Sequence, residues 1–280
     1  MKKLIFNGCS FMAGDELVWE QYHKEHNRKL TPWLTTNSNN FTDSDHEFRF
    51  EYLTYRKQYN LPAEISKILG CDCIDLSQDG KSNQNIALET IACLNSFNKE
   101  ERENCHVIIG WTSISRIMKY STMAKMFVDL TVGHYDECTD DPAKNALKEH
   151  IKTRILGGDD EDFILDYVVN VILLENYLIS NNITYTFYRG LDDMVYDITT
   201  IGPFSYSNPY KLKITECTNH ENWYKFADDH RTPISGIGWG TEFFNKPNLW
   251  VTPKNPHPSL ESISIFSAKL SEFIKTQQVL

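Results

Sequence analysis

The chain has 280 residues, of which 41% are hydrophobic and 24% charged. That is ordinary globular usage, which excludes a disordered or fibrous protein and leaves room for one generous domain or two small ones, one being the starting expectation. A formal net charge of -10, with 28 Lys and Arg that no basic run gathers, repels phosphate backbones and sets nucleic acid aside as a partner.

Seven cysteines are an odd number scattered through apolar segments, which points to reduced thiols in a cytosol-like compartment. The close pair Cys71-Asp72-Cys73 lacks zinc-knuckle spacing and reads as core thiols, so neither a metal nor a cofactor is expected. The opening Met1-Lys2-Lys3-Leu4-Ile5-Phe6 meets polar Asn7-Gly8-Cys9-Ser10 before a signal h-region develops, so a cytoplasmic location is expected. No uninterrupted apolar run reaches the roughly 18 residues of a membrane span, Asn170 breaking the best stretch, Val168 to Leu174, and no membrane partner is expected.

In chain order, Lys3 to Phe6 is a short apolar run ending at Asn7-Gly8, as a buried parallel strand does before a loop. Residues 16 to 60 carry many aromatics but little periodicity and read as loops with a helix or two. From Leu61 to Gly70, an early Pro62, apolar residues at helical spacing and a terminal glycine are start and stop signals of a helix. A strand follows at Cys73 to Leu76, then the turn Gln78-Asp79-Gly80-Lys81. Asn83 to Phe97 has Ile86, Ile91, Leu94 and Phe97 on a helical face, and Cys105 to Ile109 is the next strand.

Residues from about 118 to 160 are acidic and weakly patterned and read as a helical insertion or lid. Phe163 to Leu178 is a strongly apolar helix, and Ile183 to Tyr188 a further strand. Residues from about 190 to 250 hold several prolines and aromatics without long periodicity, a loop-rich excursion. Ser259 to Lys275 returns to helix with Ile263, Phe266, Leu270, Phe273 and Ile274 as its stripe. Strands alternating with helices imply a mostly parallel sheet covered on both faces, with ligands bound beyond the carboxyl ends of the strands.

Three polar segments follow strands and a fourth precedes the last helix: Gly8-Cys9-Ser10-Phe11, Gly80-Lys81-Ser82-Asn83, Gly110-Trp111-Thr112-Ser113 and Asn255-Pro256-His257-Pro258-Ser259. On a parallel sheet they converge on one edge, bringing together a hydroxyl, backbone amides and an imidazole, the components of acyl transfer. Each has a plainer role beside the chemical one. Ser10 suits a helix cap, His257 a turn between prolines with Ser259 capping the next helix, Gly80 a turn at positive φ, and Arg116 a structural ion pair. Trp111 reads as pocket lining.

In order and spacing these blocks resemble those of the SGNH/GDSL hydrolases. They are most similar to divergent members from bacteriophages, in which Ile-Gly-Trp-Thr-Ser-x-x-Arg recurs as Ile109 to Arg116 do here. The resemblance implies a single flavodoxin-like three-layer α/β/α domain over residues 1–280 and ester hydrolysis, often of acetyl groups on carbohydrates. It implies Ser10 as nucleophile, His257 as base, and the amides of Ser10 and Gly80 as oxyanion donors. A viral source would place the protein in an infected cell, with virion association open.

Two positions depart from the family. Thr112 stands where an Asn side chain normally completes the oxyanion hole, with Asn83 or Asn85 as substitutes if their loop turns inward. Lys254 stands where the acid that orients the histidine belongs, leaving either a Ser-His dyad held by a backbone carbonyl or an acid from elsewhere, such as Asp15 or Glu16. The primary expectation is therefore a serine esterase or deacetylase acting on a small-molecule or carbohydrate ester. The alternative is a catalytically weak scaffold of the same fold that binds a glycan or partner protein, and a transferase using the same nucleophile is the third reading.

Overall fold

The computed structural model describes residues 2–14, 17–26, 51–121, 125–130, 160–191, 200–201, 211–226, 238–240, 250–252 and 255–277. The chain opens with strand β1 (Lys3–Gly8), the single-turn helix α1 (Ser10–Ala13) and helix α2 (Trp19–Glu25); residues 51–56 are helical, and α3 is Leu61–Leu69. Strand β2 (Cys73–Asp75), helices α4 (Asn83–Asn95) and α5 (Lys99–Glu103) and strand β3 (Cys105–Trp111) follow. Next come strands β4 (Ile117–Ser121) and β5 (Met126–Leu130), the long helix α6 (Asp160–Ser180) and strand β6 (Thr184–Arg189). The last third contains β7 (Thr200–Ile201), β8 (Leu212–Lys213), α7 (Ile214–Cys217), β9 (Trp250–Thr252), β10 (Asn255–Pro258) and α8 (Leu260–Thr276).

The four strands read from the sequence form one parallel sheet in the order β2-β1-β3-β6. Past β6, Trp223 bridges Phe187 in the parallel sense and the Tyr224 amide donates to the Phe187 carbonyl at 2.8 Å, extending the sheet edge. Alternation along the strands sorts side chains into two cores. Ile5, Val107, Ile109, Trp111, Tyr185 and Phe187 pack against α4 and α6, while Leu4, Phe6, Ile108 and Tyr188 pack against α3 and α8. Every residue of β3 is buried, as expected for a central strand covered on both faces. This is the three-layer α/β/α arrangement, and the order reverses between β1 and β3, where the crevice of a doubly wound sheet opens.

Local signals explain the helix ends. The Asn60 side chain accepts from the Ala63 amide at 3.1 Å, Pro62 lies in the first turn of α3, and Gly70 closes it at φ +64°. Ser82 caps α4 by accepting from the Asn85 amide, and Ser259 caps α8 by accepting from the Ser262 amide.

Three expectations are corrected. Among the described residues of 118–130 there is no helix: β4 and β5 pair antiparallel, and residues 122–124 and 131–159 lie outside the described residues. Helix α6 over Asp162–Ser180 is, by length and composition, apolar enough to cross a membrane, because Asn170 interrupts only the run of letters; one side of it, Tyr167, Val168, Val171, Leu174 and Leu178, is buried in the core. Cys71 is buried and Cys73 exposed, so the two thiols do not share a core face.

The strand ends pack closely. A Cβ on Gly110 would lie 2.6 Å from the Tyr188 hydroxyl, which is itself fully buried and unable to retreat. Gly110→Ala is therefore expected to destabilise the fold by about 1–3 kcal/mol, read as a lower midpoint in urea with an unchanged slope.

Candidate active site

Ser10 is the second residue after β1 and opens α1, so its amide belongs to the first-turn N–H groups that have no partner inside a helix. The N-cap position is Cys9, and no side chain caps α1. The Ser10 hydroxyl makes no hydrogen bond among the described residues, although the residue is only 4% exposed. The capping role open to this serine is thus not the one it fills.

His257 arrives from the other end of the sequence on β10, which pairs antiparallel with β9 and lies against α1. Its ring sits 5.6 Å, centroid to centroid, from the ring of Phe11, the neighbour of Ser10. The strand that carries His257 and the short helix that Ser10 opens therefore lie against each other. Burial pulls the imidazole pKa down to about 4, the Asp79 carboxylate opposes this, and the Arg116 and Arg56 guanidiniums reinforce it. At neutral pH the ring is uncharged and able to accept a proton. Asp15, Glu16 and Lys254 lie outside the described residues, as does the side chain of Asn255.

Gly80 has φ +75°, and a Cβ there would meet nothing within 4 Å. The backbone conformation alone demands glycine, and its α-carbon faces open space. The preceding Asp79 accepts from Arg56 through both oxygens, at 3.0 and 3.1 Å, a bidentate pair whose Arg side chain is 5% exposed. The following Lys81 is buried, its ammonium donating to Asn7 Oδ1 at 3.0 Å, to the Leu76 carbonyl and to Glu89.

Asn83 does not turn its amide into the site. Its Oδ1 accepts from the Thr112 amide at 2.9 Å, and its Nδ2 donates to the Thr112 and Ser113 carbonyls at 3.2 and 3.1 Å. Both donor hydrogens are consumed, so Asn83 is a clamp on the loop after β3 and not an oxyanion donor. Asn85 is likewise committed, donating to Asp129 on β5, whose other oxygen accepts from the Ser82 amide. Thr112 is fully buried, and its hydroxyl has no hydrogen-bond partner among the described residues.

Trp111, expected to line a pocket, is fully buried and packs edge-on against Tyr167 and Phe187 in the core beneath α6. Its position in β3 turns it to the face opposite Tyr188, where it supports the strand end without presenting a surface. Sequence reasoning did not single out Asn7, Arg56, Asp79 and Asp129. Only Asp79 carried a signal, by standing next to Gly80 in the turn.

No family model matches the chain, and no curated protein matches it. Among solved structures, the fold is similar to a psychrotrophic esterase EstA from Pseudoalteromonas sp., described in a form inhibited by monoethylphosphonate. That match has 11% identity and a TM-score of 0.43 over 99% of each chain. A second is to a structure described as a carbohydrate esterase whose active site displays divergent catalytic and non-catalytic binding functions. Here the identity is 14% and the TM-score 0.40, over 98% of this chain and 68% of the other.

Replacing Asn83 by Ala leaves the buried Thr112 amide and two carbonyls without their partner. A loss of about 2 kcal/mol in unfolding free energy is expected, together with faster hydrogen exchange at Thr112 than at the centre of β3.

Proposed function

We propose that the chain is a serine ester hydrolase of the SGNH/GDSL type, taking a small-molecule or carbohydrate ester through an acyl-enzyme at Ser10. The observation that carries this reading is the Ser10 hydroxyl, which sits at the carboxyl end of β1, unused as a cap, on the short helix against which the strand of His257 lies. A serine hydroxyl becomes a useful nucleophile at neutral pH only with a base beside it, and a half-buried neutral imidazole meets that need.

In the proposed reaction His257 removes the hydroxyl proton as Ser10 Oγ attacks the ester carbonyl. The oxyanion that forms is held by the amides of Ser10 and Gly80. The buried Thr112 hydroxyl is the third donor, in place of the longer Asn side chain that the family uses. An unsatisfied hydroxyl in the interior costs about 1–3 kcal/mol, so a ligand oxygen that accepts from it recovers that cost on binding. Protonated His257 then gives its proton to the leaving alcohol, and water activated by the same ring releases the acid. Acetylated carbohydrates are the substrate class that the resemblance suggests.

A fluorophosphonate probe is expected to label the native protein and not Ser10→Ala, and hydrolysis of 4-nitrophenyl acetate to disappear with the same substitution. Retention of either in Ser10→Ala, or absence of both in the native protein, overturns the assignment; binding of a glycan without turnover would then favour the scaffold. His257→Ala should lower kcat/KM by about 10²–10⁴.

The pH dependence follows from the imidazole. Because its pKa is lowered from 6.5 to about 4, the base stays unprotonated well below neutrality, and kcat/KM should hold level as pH falls through 6, dropping only near pH 4. An acid limb centred near 6.5 would contradict the half-buried, guanidinium-flanked setting of the ring.

A further inference from the structure

Arg116 ends the Ile-Gly-Trp-Thr-Ser-x-x-Arg block and is not used by the reaction proposed above. Its amide donates to the Ser113 carbonyl at 3.3 Å, closing the turn after β3, and its Nη1 reaches the Lys81 carbonyl at 3.5 Å. The guanidinium is thereby held against the backbone next to Gly80, half-buried. No carboxylate lies within ion-pair distance of it among the described residues.

Among the described residues, the carboxylates near this loop are already engaged. Asp79 is held through both oxygens by Arg56, Glu89 pairs with Lys81, and Asp129 accepts from the Ser82 amide and Asn85. A guanidinium carries five donors in a planar fork, of which one is engaged among the described residues, and at that by a long bond. Partial burial strips water from a charge and makes an opposite charge more attractive than it would be on an open surface. The positive field of Arg116 is also felt at His257, which it disfavours from protonating. A single cationic centre of this kind acts over a Debye length of roughly 8–10 Å.

We propose that Arg116 is the anion-recognising residue of this site, so that the preferred ester carries a carboxylate close to its scissile bond, on either its alcohol or its acyl part. A planar carboxylate matches the guanidinium fork in a two-point contact, which fixes the substrate's orientation as well as adding attraction. The proposal deepens the hydrolase reading and rests on it for the reaction, but not for the binding.

Two matched pairs of esters test it: phenyl acetate against 3-acetoxybenzoate, with the charge on the alcohol part, and methyl benzoate against monomethyl terephthalate, with the charge on the acyl part. For the charged member of at least one pair, Arg116→Gln is expected to raise KM by about tenfold or more, the equivalent of one charge-assisted pair. The neutral member should change less than twofold, and Arg116→Lys should recover part of the difference. Equal effects on both members of each pair, or no effect on any, overturn the proposal. Calorimetric titration of 3-acetoxybenzoate and monomethyl terephthalate into Ser10→Ala, with and without Arg116→Gln, separates the two claims. If no ester is hydrolysed, the hydrolase reading fails. Binding to Ser10→Ala that weakens on adding Arg116→Gln then still supports the anion subsite, while equal binding to both proteins, or none to either, ends it.

Discussion

Two buried carboxamides hold the edge of the sheet in shape. Asn7, at the end of β1, accepts from the Gly8 amide and from Lys81 while donating to the Ile86 carbonyl and Thr90, so all four of its hydrogen-bonding positions are filled. Asn83, at the start of α4, does the corresponding work for the loop after β3. Together they tie the ends of the two central strands to one helix, and the turn that carries Gly80 is fixed between them. Fully satisfied buried polar networks of this kind specify one arrangement where apolar contacts would tolerate several. Ser10, Gly80 and Thr112 depend for their positions on these two side chains, neither of which needs to touch a ligand.

Charge is handled differently around the same loop. Arg56 and Lys81 are buried cations, each matched by an acid that remains partly in contact with water, Asp79 at 24% and Glu89 at 41% side-chain exposure. Burying an ion pair gives little net stability because of the water each charge gives up, and breaking one by removing a single partner is strongly destabilising. Their value here is positional: the turn Asp79-Gly80-Lys81 is gripped on both sides of its glycine. Arg116 lies beside this matched set without a matching acid of its own among the described residues.

The layering was readable from the sequence because it follows from period and punctuation. Leu4 and Phe6 alternate with Ile5, β3 is apolar throughout, and α3 and α8 announce themselves by caps and stripes. That the segments holding Ser10, Gly80 and Thr112 leave the sheet on one side was also legible, since a parallel sheet puts every strand's carboxyl end on the same side. What the pattern hid was direction at the level of single side chains. Asn83 and Trp111 stand in blocks that carry the chemistry, yet one amide is spent on backbone and one indole is turned into the core. Nothing in spacing tells an inward carboxamide from an outward one, because both satisfy the same helix. The hairpin β4–β5, tied to the start of α4 through Asp129, escaped because its segment was read as weakly patterned.

The contact between α1 and β10 has a further consequence for how the molecule is made. Ser10 leaves the ribosome early, whereas His257, on the strand that lies against α1, is separated from it by well over two hundred residues of synthesis. A nascent chain that has released β1 to β6 does not yet contain β10, so the α1–β10 contact can form only after that strand has been made. Any reactivity of the Ser10 hydroxyl which needs the imidazole is therefore withheld until translation has passed β10.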